Sequence, residues 1–305
     1  MSFPVLASTF ANNILPIILL SAAGFVLGKL LHIDARSLGR VVFYVFSPVL
    51  IFDLLIQNQL KMSEAAIVIA FALCFIMVMG ILTLLLGYLF KLERTALVSI
   101  LITTMFANTG NYGLPLVSFA FGEQALSYAG VYFVTTTLLF YTLGVFLASL
   151  GHMNFKEAIV GLFRIPTMYA VLLAIMINAW KIEIPIPVSR AVELAADGTI
   201  PLMLILLGVQ LTSLELSGNQ RAMRLSVSLR MIIAPLAALL FAALFGLQSF
   251  TRQAGVTQAS MPSMVSATVL ATEYNLDAKL VTAVVFISTL LSPLTLTPLL
   301  VFLGR

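Results

Sequence analysis

Ala107-Asn108-Thr109-Gly110-Asn111-Tyr112-Gly113-Leu114-Pro115-Leu116 interrupts one apolar stretch of this chain. Gln258-Ala259-Ser260-Met261-Pro262-Ser263-Met264 interrupts another, at the corresponding place in the second half. Both carry Gly, Pro, Asn or Ser where a membrane helix calls for aliphatic side chains. In hydrocarbon an unpaired backbone N–H or C=O costs several kcal/mol, so a broken helix is tolerated only where protein encloses it or where it lines a watery cavity. A matched pair of interrupted segments is the sequence mark of a carrier's binding site.

The composition around these segments agrees with a bilayer. Of 305 residues, 61% are hydrophobic and 9% are charged, and the mean hydropathy is +1.11. A soluble surface needs about 25% charged residues, whereas the apolar runs here can cross roughly 30 Å of hydrocarbon. The chain reads as an all-α polytopic membrane protein. Its net charge of +4 is explained by basic loops, and no basic patch interleaved with aromatics points to nucleic acid. The single Cys74 excludes an intramolecular disulfide. The first twelve residues hold no Lys or Arg, so no cleavable signal peptide is expected. His32 and His152 fall in loops without a cluster of metal ligands, so no metal is expected. Walker, Gly-x-Ser-x-Gly and His-Glu-x-x-His motifs are missing, which argues against an ATP-driven pump and against an enzyme.

Ten spans are read, roughly 13–31, 38–57, 65–90, 96–121, 125–149, 159–180, 189–212, 225–247, 252–272 and 279–303. Lys29, Arg36, Arg40, Lys91, Arg94, Lys156, Arg164, Arg221, Arg224, Arg230 and Lys279 fall on one side, eleven in all; Lys61, Lys181, Arg190, Arg252 and Arg305 fall on the other. The positive-inside rule puts the larger set in the cytoplasm and both termini outside. No basic residue is expected in the middle of a span. The longest link holds Gly151, His152, Lys156, Glu157 and Arg164, and it divides the chain into five-span halves, 1–150 and 151–305.

The halves echo each other. Pro48 to Gln57 matches Pro201 to Gln210, Pro115 matches Pro262, Glu123 matches Glu273, and the run from Val131 to Leu139 matches that from Ala283 to Leu291. An odd number of spans per half makes the second half enter from the opposite side, so the repeat is inverted. Spans four and nine then each consist of two half-helices, broken at Gly113, Pro115 and Pro262. Gly110 and Gly113 admit backbone angles that a helix forbids. The prolines lack an N–H and free a carbonyl one turn back. Half-helix N-termini carry partial positive charge, which suits an anion.

Asn108, Thr109 and Asn111 either hold a ligand there or serve as packing glue between helices, and Gly110, Met261, Pro262 and Ser263 are expected to line the substrate site with them. Tyr112 reads as a lid or as a lipid-interface residue. Ser260 and Ser263 either meet substrate or bond back to their own helix. Asp53, the one acid clearly inside a span, reads as a proton- or cation-coupling group or as a carboxyl paired with a neighbouring helix. Gln57 lies one turn beyond it on the same face. Gln57 and Gln210 either contact substrate from the two repeats or pin spans two and seven. Asp197, Glu193, Glu123, Glu273 and Asp277 read as span-end residues.

At Asn108-Thr109-Gly110-Asn111-Tyr112-Gly113-Leu114-Pro115-Leu116, Met261-Pro262-Ser263 and Glu273-Tyr274-Asn275 the chain resembles the auxin efflux carrier family of bacterial permeases and plant PIN exporters. The resemblance implies the PIN-like and bile-acid-symporter fold, with helices four and nine broken and crossing. It implies a scaffold of helices 1, 2, 6 and 7 and a moving part of helices 3, 4, 5, 8, 9 and 10. It also implies elevator-type transport of small organic anions, and a homodimer joined through the scaffold. The plant proteins' long central loop is missing, and Ser263 stands where some carry an amide, so malonate-like carboxylates are expected before auxin. The bacterial type implies the cytoplasmic (inner) membrane. No cofactor is expected beyond H+ or Na+ coupling. The rival readings are a sodium-coupled symporter of the bile-acid type and a membrane sensor that binds without transporting; a sensor would be expected to carry a signalling segment, and none is read.

Overall fold

Proline shapes the course of several helices in this molecule. Pro16, Pro48 and Pro235 have no N–H to return to the carbonyl four residues back. Each follows a widened π-helical turn, Phe10–Ile14, Val42–Phe46 and Leu229–Ile233, that absorbs the missing bond without ending the helix. The computed structural model describes residues 2–58, 60–149, 165–212 and 219–304, and every regular element among them is helical. The link with His152, Lys156, Glu157 and Arg164 lies outside the described residues, as does Arg305.

In chain order the helices are α1 (Phe3–Leu31), α2 (Ala35–Gln57), α3 (Met62–Leu89), α4 (Arg94–Met105), α5 (Thr109–Ala148), α6 (Pro166–Trp180), α7 (Ile186–Leu211), α8 (Gln220–Leu244), α9 (Ser249–Ala259), α10 (Ser266–Glu273) and α11 (Ala278–Leu303). Seven of them, α1, α2, α3, α5, α7, α8 and α11, are long and apolar enough to cross a membrane. Gly122 divides α5: with φ 75° and ψ −169° it occupies a conformation that L side chains avoid, and it separates arms over 109–121 and 123–148. Expected spans four and nine have no continuous counterpart. The fourth runs through α4, a break and the first arm of α5; the ninth runs through α9, a break and α10.

Ends are capped where sequence allows. Asp34 starts α2, its carboxylate accepting the N–H groups of Arg36 and Ser37 and the Ser37 hydroxyl. These bonds, the Ser37 hydroxyl first, hold its carboxyl below the ordinary range. Asn219 caps α8 and Asp277 caps α11 in the same way.

Helix α7 packs along α1 and α2, and α6 packs on α2. Helices α3, α4, α5, α8, α9, α10 and α11 pack mainly among themselves. Backbones of α1 and α7 nearly touch: a Cβ on Gly24 would lie 2.1 Å from the Ile205 carbonyl oxygen, and one on Gly208 would lie 1.9 Å from that of Ser21. Small residues permit this approach, which is how helices gain van der Waals contact where lipid is as apolar as they are. Helices α2 and α7 run antiparallel: Gly39 faces Leu206, Thr199 donates to the Phe46 carbonyl at 3.2 Å, and Phe52 clusters with Val192.

The largest core surrounds the two breaks, while Leu194, Leu294, Leu30 and Tyr88 are exposed on the perimeter. An apolar perimeter of this kind is what a bilayer solvates. The protein is an integral, multi-pass membrane protein.

Candidate functional site

The two interruptions meet. Helix α4 ends at Met105 and α5 begins at Thr109; α9 ends at Ala259 and α10 begins at Ser266. Between them Ala107 and Ser263 form an antiparallel bridge. The Asn108 N–H donates to the Pro262 carbonyl at 2.8 Å, and the Met264 N–H donates to the Phe106 carbonyl at 3.0 Å. Each break therefore supplies the partners that hydrocarbon would deny the other.

An antiparallel pair has a local two-fold axis that exchanges its members. On that axis Ala107 corresponds to Ser263, Asn108 to Met264 and Phe106 to Pro262. Pro115 takes no part in this pairing. Pro262 lies in its break, whereas Gly113 and Pro115 lie in helix beyond theirs.

Five of the expected site residues come together at the bridge: Asn108, Thr109, Met261, Pro262 and Ser263, all of them buried. Asn108 Nδ2 and Thr109 Oγ1 are buried without a hydrogen-bond partner. Unpartnered buried donors are uncommon in native proteins and call for an explanation such as a ligand. Just before the second break, Gln258 donates to the Ala129 carbonyl at 3.2 Å while its Oε1 stays unpartnered. Ser263 is used structurally, its hydroxyl donating to the Thr103 carbonyl at 2.8 Å and its N–H to Ser288 Oγ at 3.1 Å. Ser260 bonds back to Val256 of its own helix.

Several expectations change in the structure. Tyr112 is neither lid nor lipid-facing: it is 2% exposed, and its hydroxyl is hydrogen-bonded to Ser292 Oγ on α11 at 3.0 Å. Gly110 packs against Phe133. Asn111 is half-buried and donates to Gln210 Oε1 on α7 at 3.3 Å. Gln57 donates to both oxygens of Asp53, at 2.8 and 2.9 Å. Gln57 and Gln210 end antiparallel helices, so they sit about 30 Å apart along the helix axes, and only Gln210 reaches a break. Asp53 is not the one acid within a helix of spanning length. Asp197 and Glu193 lie inside α7, and with Glu123 they are its electrostatic neighbours.

Arg230 was missed. It lies in the π turn of α8, is 0% exposed, and is the only charged side chain buried among the described residues. Its Nε donates to the Met261 carbonyl at 2.7 Å, its Nη2 to that of Ala259 at 2.7 Å, and its Nη1 to that of Thr104 at 3.0 Å. Arg230 sits near the centre of α8, which overturns the expectation that no basic residue lies in the middle of a span and takes it out of the loop charges. The available signal was an arginine inside an apolar run shortly before Pro235, since intramembrane charges are costly and mark function.

A separate cavity of about 570 Å³ lies away from the breaks, lined by Lys61, Glu64, Gln124, Tyr128, Gln248 and Thr251 among others. There the Tyr128 hydroxyl donates to Glu64, which also pairs with Lys61 at 3.1 Å.

Comparison with known proteins adds two kinds of likeness. The model of a family described as membrane transport protein matches the chain twice, over residues 9–158 and 151–300. An uncharacterized transporter of Methanothermobacter thermautotrophicus is 30% identical over 288 residues, which cover 93% of this chain and 94% of the relative. An uncharacterized transporter of Methanocaldococcus jannaschii is 27% identical over 301 residues, covering 93% and 95%.

Proposed function

The chain belongs to the membrane transport protein family, the auxin efflux carriers, and from that premise we propose that it is a secondary carrier of small organic anions, malonate-like carboxylates foremost. One observation carries this reading: the buried, unpartnered Asn108 Nδ2 and Thr109 Oγ1 beside paired helix breaks. A carboxylate accepts hydrogen bonds and does not donate them, so it complements such donors. The N-terminal ends of α5 and α10 add partial positive charge at the same place.

The carrier is proposed as ten spans, five plus five inverted, and the double match of one family model supports a repeat. Helices α1, α2, α6 and α7 form the scaffold in this reading, and the helices carrying the breaks move against it. The Asn111–Gln210 bond ties the breaks to the C-terminal end of α7, the cytoplasmic end by the positive-inside rule. The proposed resting state therefore faces inward. Asp53, held by Gln57, is the proposed coupling acid for H+ or Na+, and the protomers are proposed to pair through the scaffold.

Uptake of labelled malonate into proteoliposomes, at two pH values and with or without sodium, tests the reading. Wild type should accumulate label above protein-free vesicles, and Asn108→Ala should not. Equal uptake by both would refute the assigned site.

A further inference from the structure

Four helix ends converge on the paired breaks, and the two that end α4 and α9 present carbonyl oxygens. Partial negative charge gathers at such C-terminal ends. In carriers with broken helices, unwound carbonyls and half-helix C-termini hold a bound cation. Here Thr104 lies in the last turn of α4, Ala259 ends α9 and Met261 lies in the second break; the carbonyls of all three are taken by one guanidinium.

From this geometry we infer that Arg230 is the resident cation of the crossing, a positioning residue that clamps both breaks and fills the place a dissociable cation would otherwise occupy. The inference deepens the carrier reading and rests on it for the meaning of the crossing. The guanidinium suits the task because its donors lie in one plane in a fixed fork and it stays protonated. A single ammonium nitrogen could not aim three separated donors at carbonyls on two segments. No carboxylate pairs with it: the ion pair found among the described residues is Lys61 with Glu64. Its charge is balanced by peptide dipoles, and these belong to both halves of the chain. Thr104 precedes the first break and Met261 lies in the second, so one side chain fixes their mutual position. The π turn before Pro235 sets the aim, because the widened turn rotates position 230 relative to a regular helix. The clamp also leaves a fixed positive charge beside the break that carries Asn108 and Thr109, where a buried charge is screened weakly.

Chemical rescue tests the inference without a substrate. Arg230→Ala would leave a guanidinium-shaped space facing three carbonyls. In detergent-purified protein its melting temperature should fall below wild type. Millimolar guanidinium chloride should raise it again, and choline chloride of equal ionic strength should not. A mutant indifferent to guanidinium, or one that melts like wild type, overturns the inference. If Arg230→Ala does not accumulate, Arg230→Lys and Arg230→Gln decide: the charge-keeping variant should reach the membrane in larger amounts, and equal amounts overturn it. Failure of malonate uptake by wild type would count against the carrier reading alone and leave the melting comparison standing.

Discussion

At the scale of single residues, Asn108 and Ser263 both sit at the bridge, Ser263 opposite Ala107 and Asn108 next to it, but they are used differently. Ser263 satisfies the Thr103 carbonyl, whereas the Asn108 amide nitrogen satisfies nothing in the protein. Leaving a buried polar group unpaired costs about 1–3 kcal/mol. Asn108→Ala should therefore hold or raise the melting temperature while abolishing malonate uptake; a marked loss of stability would show that the amide has a structural partner. Ser263→Ala should do the reverse in thermal melts, losing about 1 kcal/mol through the vacated carbonyl. Asn111→Ala should abolish uptake yet leave folded, membrane-inserted protein, with gel filtration and uptake as the two readings. The polar side chains of the breaks were legible because they stand out in apolar sequence. Tyr112 was not, since its partner Ser292 is 180 positions away. Arg230 was not either, because it lies near the start of an apolar run and was counted with the loops.

At the scale of elements, the tightest contact joins α1 to α7. Gly24 and Gly28 lie one turn apart, the small-residue spacing that marks a helix interface in membranes. That pattern was present in the sequence, although it does not name its partner. Gly208→Leu should force the helices apart, since its side chain would start inside the Ser21 carbonyl. Overpacking of this kind costs about 1–3 kcal/mol or more, read as a lowered melting temperature. That the chain is helical, with several helices long and apolar enough to cross a membrane, followed from hydropathy. The exact breakpoints did not, because proline marks where a hydrogen bond is lost and not where the chain unwinds. Pro115 is accommodated in the first turns of α5, while Phe106–Asn108, with no proline among them, leave helical geometry to pair with the other break.

At the scale of the whole molecule, orientation is a testable consequence of charge. In a Cys74→Ser background, a cysteine replacing Lys181 should react with a membrane-impermeant maleimide added to intact cells, and one replacing Arg36 should not. The reverse pattern would turn the molecule over, and the proposed inward-facing state with it. The reciprocal pairing of the breaks reaches further, into biogenesis. Asn108 leaves the ribosome long before Pro262 exists, so the nascent first half enters the bilayer with its bridge groups unmet. That segment is expected to need shelter by an insertase or chaperone until the later one is translated. A polypeptide stopped at residue 150 should be degraded after insertion, and supplying the missing half as a separate chain in the same cell should rescue it.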